Sequence, residues 1–280
     1  MKITANISEL RQFRWADPTL TWGLAPTMGY LHEGHLSLVR RAKAENERTA
    51  VTIFVNPTQF APTEDLTTYP RNLQHDLTLL QAEGVDLVFT PNNETMYPSS
   101  FQTRVTVTDV SRPLEGTSRP THFQGVATVV AKLFNLIQPT RAYFGQKDAQ
   151  QAVVLKQMVR DLNFNLAIVV CPIVREADGL ALSSRNANLS PAERQAATIL
   201  NRALKTAHKA YQNGERHGRP LCQIIQDIIN TEPLARLDYA TVADPNTLQE
   251  LDEIQGDVLL ATAVFIGQTR LIDNVLITDE

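Results

Sequence analysis

The sequence predicts an α/β fold, a doubly wound parallel sheet followed by a second, smaller α+β domain. Three observations carry this. Short β-branched and aliphatic runs alternate with amphipathic helical patterns in the first part of the chain, as in sheets with helices on both faces. Polar residues suited to chemistry cluster just after those runs, where open α/β sheets bind ligands. After Cys171 the pattern changes, and helices are followed by a block of strands.

The elements follow in order. Buried strands are expected at Leu20–Thr27, Ala50–Pro57, Val85–Pro91, Arg141–Gly145 and Asn165–Pro172. Helical spacing links Leu36, Val39 and Ala42, then Leu73, Leu77 and Leu80 ahead of Gly84. It links Phe123, Val126, Val130, Leu133 and Ile137 before Pro139. Beyond Cys171, Ser190-Pro191-Ala192-Glu193 combines a capping box with proline at the first helical position. It should open one helix running to about Gln212, with another over Leu221–Asn230. Three strands complete the chain, with a turn at Gly267-Gln268. The expected domains are a Rossmann-like body, residues 1–172, and a smaller α+β domain, residues 173–280.

Composition narrows the function. With 280 residues, 43% hydrophobic and 20% charged, the chain is neither disordered nor fibrous. A net charge of −4 offers no broad capture of nucleic acid or anionic membrane. Cys171 and Cys222 form no CxxC pattern and read as reduced thiols. No secretory h-region opens the sequence, and its longest apolar stretches are too short to cross a bilayer. A cytoplasmic location is expected.

Four blocks at strand ends carry the chemistry. The first, PTMGYLHEGH, sets His32 and His35 where a loop becomes a helix, a place suited to phosphate. Two helix-cap histidines without chemistry are the plain alternative, and a metal site would lack a third ligand. The second, VNPTQF, offers the amides of Asn56 and Gln59. The third, FGQKDAQQ, brings Gly145, Lys147, Asp148 and Gln151 to a strand-to-helix turn that is not a Walker A loop. The fourth, VREADGLALSSRN, supplies Ser183, Ser184 and Arg185 after a turn at Asp178-Gly179, as hydroxyl donors and a planar cation for phosphate. That last loop is expected to close over its ligand.

Together with EDLTTYPR and LEGTSRPTHFQGVATVVAKLFN, these blocks resemble, in order and spacing over nearly the whole chain, the pantothenate synthetase (pantoate–β-alanine ligase) family. HEGH and LSSRN are also similar to the HIGH and KMSKS signatures of the nucleotidylyltransferase superfamily. The resemblance implies ATP-dependent condensation of (R)-pantoate with β-alanine through pantoyl adenylate. It implies a catalytic set of His35, His32, Lys147 and Arg185. It assigns ATP to Met28, Gly29, Tyr30, Leu31, His32, Glu33, Gly34 and His35 on the first block. Further ATP contacts fall on Gly145, Gln146, Lys147, Asp148, Val174, Leu182, Ser183, Ser184 and Arg185. Gln59, Gln151 and Asn56 would hold pantoate, and Gln59 also β-alanine. Gln146 stands where relatives often carry Glu, and a backbone contact would survive that change. Mg²⁺ is expected with ATP and held mainly by phosphates and water, with no dedicated protein ligand named. A homodimer is implied. The rivals are another nucleotidylyltransferase on the same scaffold, or a nucleotide-binding module without catalysis.

Overall fold

Alternate residues of a strand face opposite sides, so a run that is apolar throughout needs cover on both. The strands of the first part of the chain receive it. In the computed structural model, which describes residues 1–62 and 64–278, they build a parallel sheet in the order β1-β4-β3-β2-β5-β6. These are β1 (Lys2–Thr4), β2 (Trp22–Thr27), β3 (Arg48–Ile53), β4 (Leu87–Phe89), β5 (Arg141–Gly145) and β6 (Ala167–Cys171). The accompanying helices are α1 (Ile7–Arg14), α2 (Glu33–Glu45), α3 (Leu73–Ala82), α4 (Asn93–Met96), α5 (Glu115–Ser118), α6 (His122–Ile137) and α7 (Ala149–Asp161).

Neighbouring strand residues enter different cores. Leu24, Ala50, Leu87 and Phe144 pack with Leu10 of α1, Val126 and Val130 of α6, and Leu155 of α7. Their neighbours Ala25, Val51, Val88 and Tyr143 pack with Leu36 and Val39 of α2 and Leu80 of α3. The sheet is thus doubly wound. Strand order runs from β2 through β3 to β4 on one side and from β2 through β5 to β6 on the other. The reversal lies between β2 and β5, whose pairing is brief: Gly23 with Arg141 and Leu24 with Ala142. Parallel strands that part there leave a crevice at their carboxyl ends. The edge strand β1 was not among the predicted elements; three residues with two exposed carry little periodic signal.

The chain divides into two units, Met1–Gly145 with Gln150–Pro172, and Gln146–Ala149 with Ile173–Glu280. The expected first span, 1–172, differs in that Gln146–Ala149 groups with the second unit. That unit contains α8 (Pro191–Ala196), α9 (Ile199–Gln212), α10 (Gly218–Ile229) and an antiparallel sheet β7-β8-β9. Its strands are β7 (Ala235–Ala243), β8 (Val258–Ile266) and β9 (Thr269–Ile277). Leu200, Leu204, Leu221, Ile225, Leu260 and Val264 share its core. Gly267, at φ 57°, makes the two-residue turn that pairs Ile266 with Thr269.

The single helix expected from Ser190 to Gln212 is two. The capping box forms as predicted, with Ser190 and Glu193 bonding reciprocally. The break falls at Ala197-Thr198. There the Thr198 N–H reaches back three residues to Gln195 O (3.3 Å), and its hydroxyl donates to the same carbonyl (2.8 Å). A threonine hydroxyl bonding locally tightens and bends a helix in this way.

Candidate active site

The loop after β2 is built around a buried carboxylate. Gly29 (φ 85°) and Tyr30 (φ 52°) are both left-handed, which turns successive N–H groups to one side. The N–H groups of Tyr30 and Leu31 donate to Asp76 of α3 at 2.9 and 2.7 Å, and Asp76 is 1% exposed. Upstream, the Thr27 hydroxyl donates to Thr52 O (2.8 Å) and accepts from Gly29 N (3.2 Å), tying the loop to β3. The loop delivers His32 as the N-cap of α2. The His32 N–H donates to His35 Nδ1 at 3.3 Å, and the two rings lie 4.0 Å apart. Since Nδ1 accepts, a neutral His35 carries its proton on Nε2, the tautomer suited to donating outward. Gly34 lies between the two histidines in the first turn. Glu33 turns its carboxylate to the exposed face, where it pairs with Arg40, so a ligand contact from Glu33 falls to its backbone.

At the end of β3, Asn56 is 1% exposed. Its oxygen accepts from the Thr58 hydroxyl (2.9 Å) and the Tyr97 hydroxyl (2.8 Å), and its amide donates to Gln59 Oε1 (3.1 Å) and Gly125 O (3.2 Å). Asn56 therefore organises the turn that carries Gln59. Gln59 spans to the neighbouring strand end, its amide donating to Met28 Sδ at 3.3 Å. Two sequence-predicted residues of different blocks, Met28 and Gln59, thus meet.

A network that the sequence reading missed holds Gln59 from behind. His122 Nδ1 lies 2.9 Å from Gln59 O, and Arg119 donates to the same oxygen at 3.3 Å. Arg119 is paired in turn with Glu64 at 2.6 Å. Burial, with Arg119 beside it, pushes the His122 imidazole down to about 4, so it is neutral at physiological pH. A neutral His122 can donate Nδ1–H to the Gln59 carbonyl. Its sequence signal was a histidine opening a largely apolar helix. On α7, Gln151 is half-buried, while its neighbour Gln150 is buried and binds Val110 O, Pro113 O and Glu115 N.

The remaining predicted residues lie in the second unit, except Gly145, which ends β5. Gln146, Lys147 and Asp148 form a 3-10 turn in which Lys147 Nζ lies 3.3 Å from Asp148 Oδ1. Leu182 N–H donates to Val174 O at 3.0 Å, bringing those two residues together. Ser183 Oγ accepts from Arg185 N–H (3.3 Å) and caps the short turn Ser184–Asn188, in which Ser184 is buried. Lys147 and Ser183 line one small cavity with Ala181, Asn186 and Asp273. The predicted turn at Asp178-Gly179 is present, with Gly179 at φ 95°. Beside it, Arg194 pairs with Asp178 (2.9 Å) and Glu176 (2.6 Å). Among the described residues, no group of three or more His, Cys, Asp or Glu is arranged to hold a metal ion.

Comparison with known proteins gives this geometry a family. The family model described as pantoate-beta-alanine ligase matches residues 2–276. The pantothenate synthetase of Roseiflexus sp. (strain RS-1) is 57% identical over 277 residues, covering 99% of each chain. The crystal structure of pantothenate synthetase from Thermus thermophilus superposes with a TM-score of 0.94 at 46% identity, over 98% of this chain and 99% of that one. The pantoate-beta-alanine ligase of Francisella tularensis, complexed with beta-gamma ATP and beta-alanine, gives 0.81 at 37% identity, over 99% and 97%. With the histidine pair, the Gln59 turn and the lysine and serine turns each in place within their own unit, the chain belongs to the pantoate–β-alanine ligase family.

Proposed function

We propose that this chain condenses (R)-pantoate with β-alanine at the expense of ATP, giving pantothenate, AMP and pyrophosphate. A carboxylate is a poor acyl donor, so one of its oxygens must become part of a leaving group. Pantoate's carboxylate oxygen attacks the α-phosphorus, a new O–P bond forms, and the bond to pyrophosphate breaks. The β-alanine amine then attacks the acyl carbon of pantoyl adenylate, loses a proton, and expels AMP.

Such phosphorus chemistry asks the protein for positioning and charge stabilisation more than for a nucleophile. The observation that carries the reading is the His32–His35 pair at the start of α2, beside the reversal of strand order, with Gln59 reaching Met28 on the same loop. His35 and His32 donate to phosphate oxygens, with Lys147 and Arg185 as cations. Ser183, Ser184 and the backbone of the assigned loop residues complete the ATP contacts. Gln59 and Gln151 read pantoate, and Gln59 also meets β-alanine, while Asn56 serves pantoate through the turn it holds. Mg²⁺ enters with ATP and is carried by phosphate oxygens and water. A cytoplasmic homodimer completes the proposal; the free thiols of Cys171 and Cys222 suit that compartment.

The test is product analysis with all three substrates. AMP and pantothenate should form in equal amounts, and hydroxylamine should trap a pantoyl hydroxamate when β-alanine is withheld. Formation of ADP and phosphate instead would exclude an adenylate route.

A further inference from the structure

We infer that Asn274 of β9 is a positioning residue for Lys147, so the second unit sets the direction of a phosphate-directed cation from its own sheet. Asn274 is 3% exposed, in a strand whose neighbours Leu271 and Ile277 are buried and apolar. A buried amide is tolerated only when its hydrogen-bonding capacity is used. Here it is used on a single turn. The two amide hydrogens of Asn274 go to Gln146 O and Lys147 O, both at 2.9 Å, and its oxygen accepts from Gln146 Nε2 at 3.0 Å. The Gln146 carbonyl belongs to the peptide group before the Lys147 Cα, and the Lys147 carbonyl to the one after it. Gripping both fixes the backbone on either side of that Cα and therefore the direction in which the lysine side chain leaves. Aspartate cannot donate these bonds, and alanine can make none of the three.

The preceding residue secures the grip. Asp273, 3% exposed, accepts two bonds from Arg175 (2.6 and 2.8 Å) and one from the Asn274 N–H (2.8 Å). Arg175 also donates to Gly179 O at 3.1 Å, in the turn that leads to Ser183 and Arg185. One Asp-Asn step of β9 thus anchors both phosphate-directed turns of its unit.

This inference rests on the reading of Lys147 as an ATP-directed cation, and a double-mutant cycle separates the two. Asn274→Ala, Asn274→Asp, Lys147→Ala and Asn274→Ala/Lys147→Ala are assayed for kcat and for the KM of ATP and of pantoate. Asn274→Ala and Asn274→Asp should each lower kcat/KM for ATP about tenfold to a hundredfold, the usual cost of misplacing a positioned group by about 1 Å. The KM for pantoate should stay within about twofold, and in the Lys147→Ala background Asn274→Ala should cost less than about twofold more. If the losses multiply, or fall equally on pantoate, the positioning role is wrong while the ATP reading stands. If Lys147→Ala keeps full activity, the ATP reading of Lys147 fails and this inference fails with it. Should Asn274→Ala not fold, Gln146→Ala, which removes one bond of the three, must show a smaller ATP-selective loss that disappears in Lys147→Ala; a loss that persists there overturns the inference.

Discussion

The Asp76 carboxylate accepts from the backbone N–H groups of both Tyr30 and Leu31, so a residue of α3 holds the loop that presents His32 and His35. Each carboxylate oxygen takes one of the two donors, Oδ2 that of Tyr30 and Oδ1 that of Leu31. Asp76→Asn keeps the shape but turns an NH₂ against one of the N–H groups. We expect a loss of about 1–3 kcal/mol in urea denaturation, the cost of a buried unsatisfied group. Turnover should fall more than about tenfold as the histidines lose their placement. A variant with wild-type turnover would show that the loop is held by other means.

His35 is expected to act in the adenylation step. His35→Ala should slow single-turnover formation of pantoyl adenylate by about a hundredfold or more, within the range for loss of a positioned acid or donor. Pantoate binding should hardly change. An unchanged adenylation rate would remove His35 from the chemical step.

Gly125 lets α6 approach the Gln59 turn. A Cβ built on it would lie 2.3 Å from Thr58 O and 2.6 Å from Gln59 N, both backbone atoms that cannot swing aside. Gly125→Ala should destabilise by about 1–3 kcal/mol through overpacking. It should also raise the KM for pantoate about tenfold as Gln59 shifts, with little change in the KM for ATP. Equal effects on both substrates would show a general rather than local disturbance.

His122 gives stability a pH dependence of definite sign. Its imidazole is held at about 4 in the folded chain against 6.5 ordinarily, so the unfolded state takes up the proton first. The stabilisation is fully present above about pH 6.5, falls as the pH drops, and is lost by about pH 4, amounting to about 3 kcal/mol. Denaturation of wild type and His122→Asn from pH 7 to 4.5 reads this directly. The wild type should lose more stability over that range; parallel curves would contradict a neutral, buried His122.

Much of the fold was legible because burial on two faces forces apolar runs. Each predicted strand of the first part exists: Arg141–Gly145 has the expected bounds, three others are shorter than expected, and the one expected at Ala50–Pro57 lies at Arg48–Ile53. The helix start at Ser190 was written in its capping box. The break at Ala197-Thr198 was not legible, since neither residue is a strong breaker and the cause is a hydroxyl bonding back to Gln195. Among the candidate site residues, the histidine pair and the serine turn were proposed from position and spacing. Asp76, His122 and Asn274 were not, because each acts on the backbone of a distant residue, and sequence spacing says nothing about which backbone a side chain will meet. In hindsight, two adjacent polar residues amid the apolar LIDNVLI strand were a signal, since in a sheet they must be satisfied on both faces.

Activation of the carboxylate as an adenylate precedes any involvement of the amine in the proposed reaction. Exchange of labelled pyrophosphate into ATP reports on that order of steps. Exchange should require pantoate, proceed without β-alanine, and not be supported by other hydroxy acids. Exchange without pantoate, or none until β-alanine is added, would contradict it.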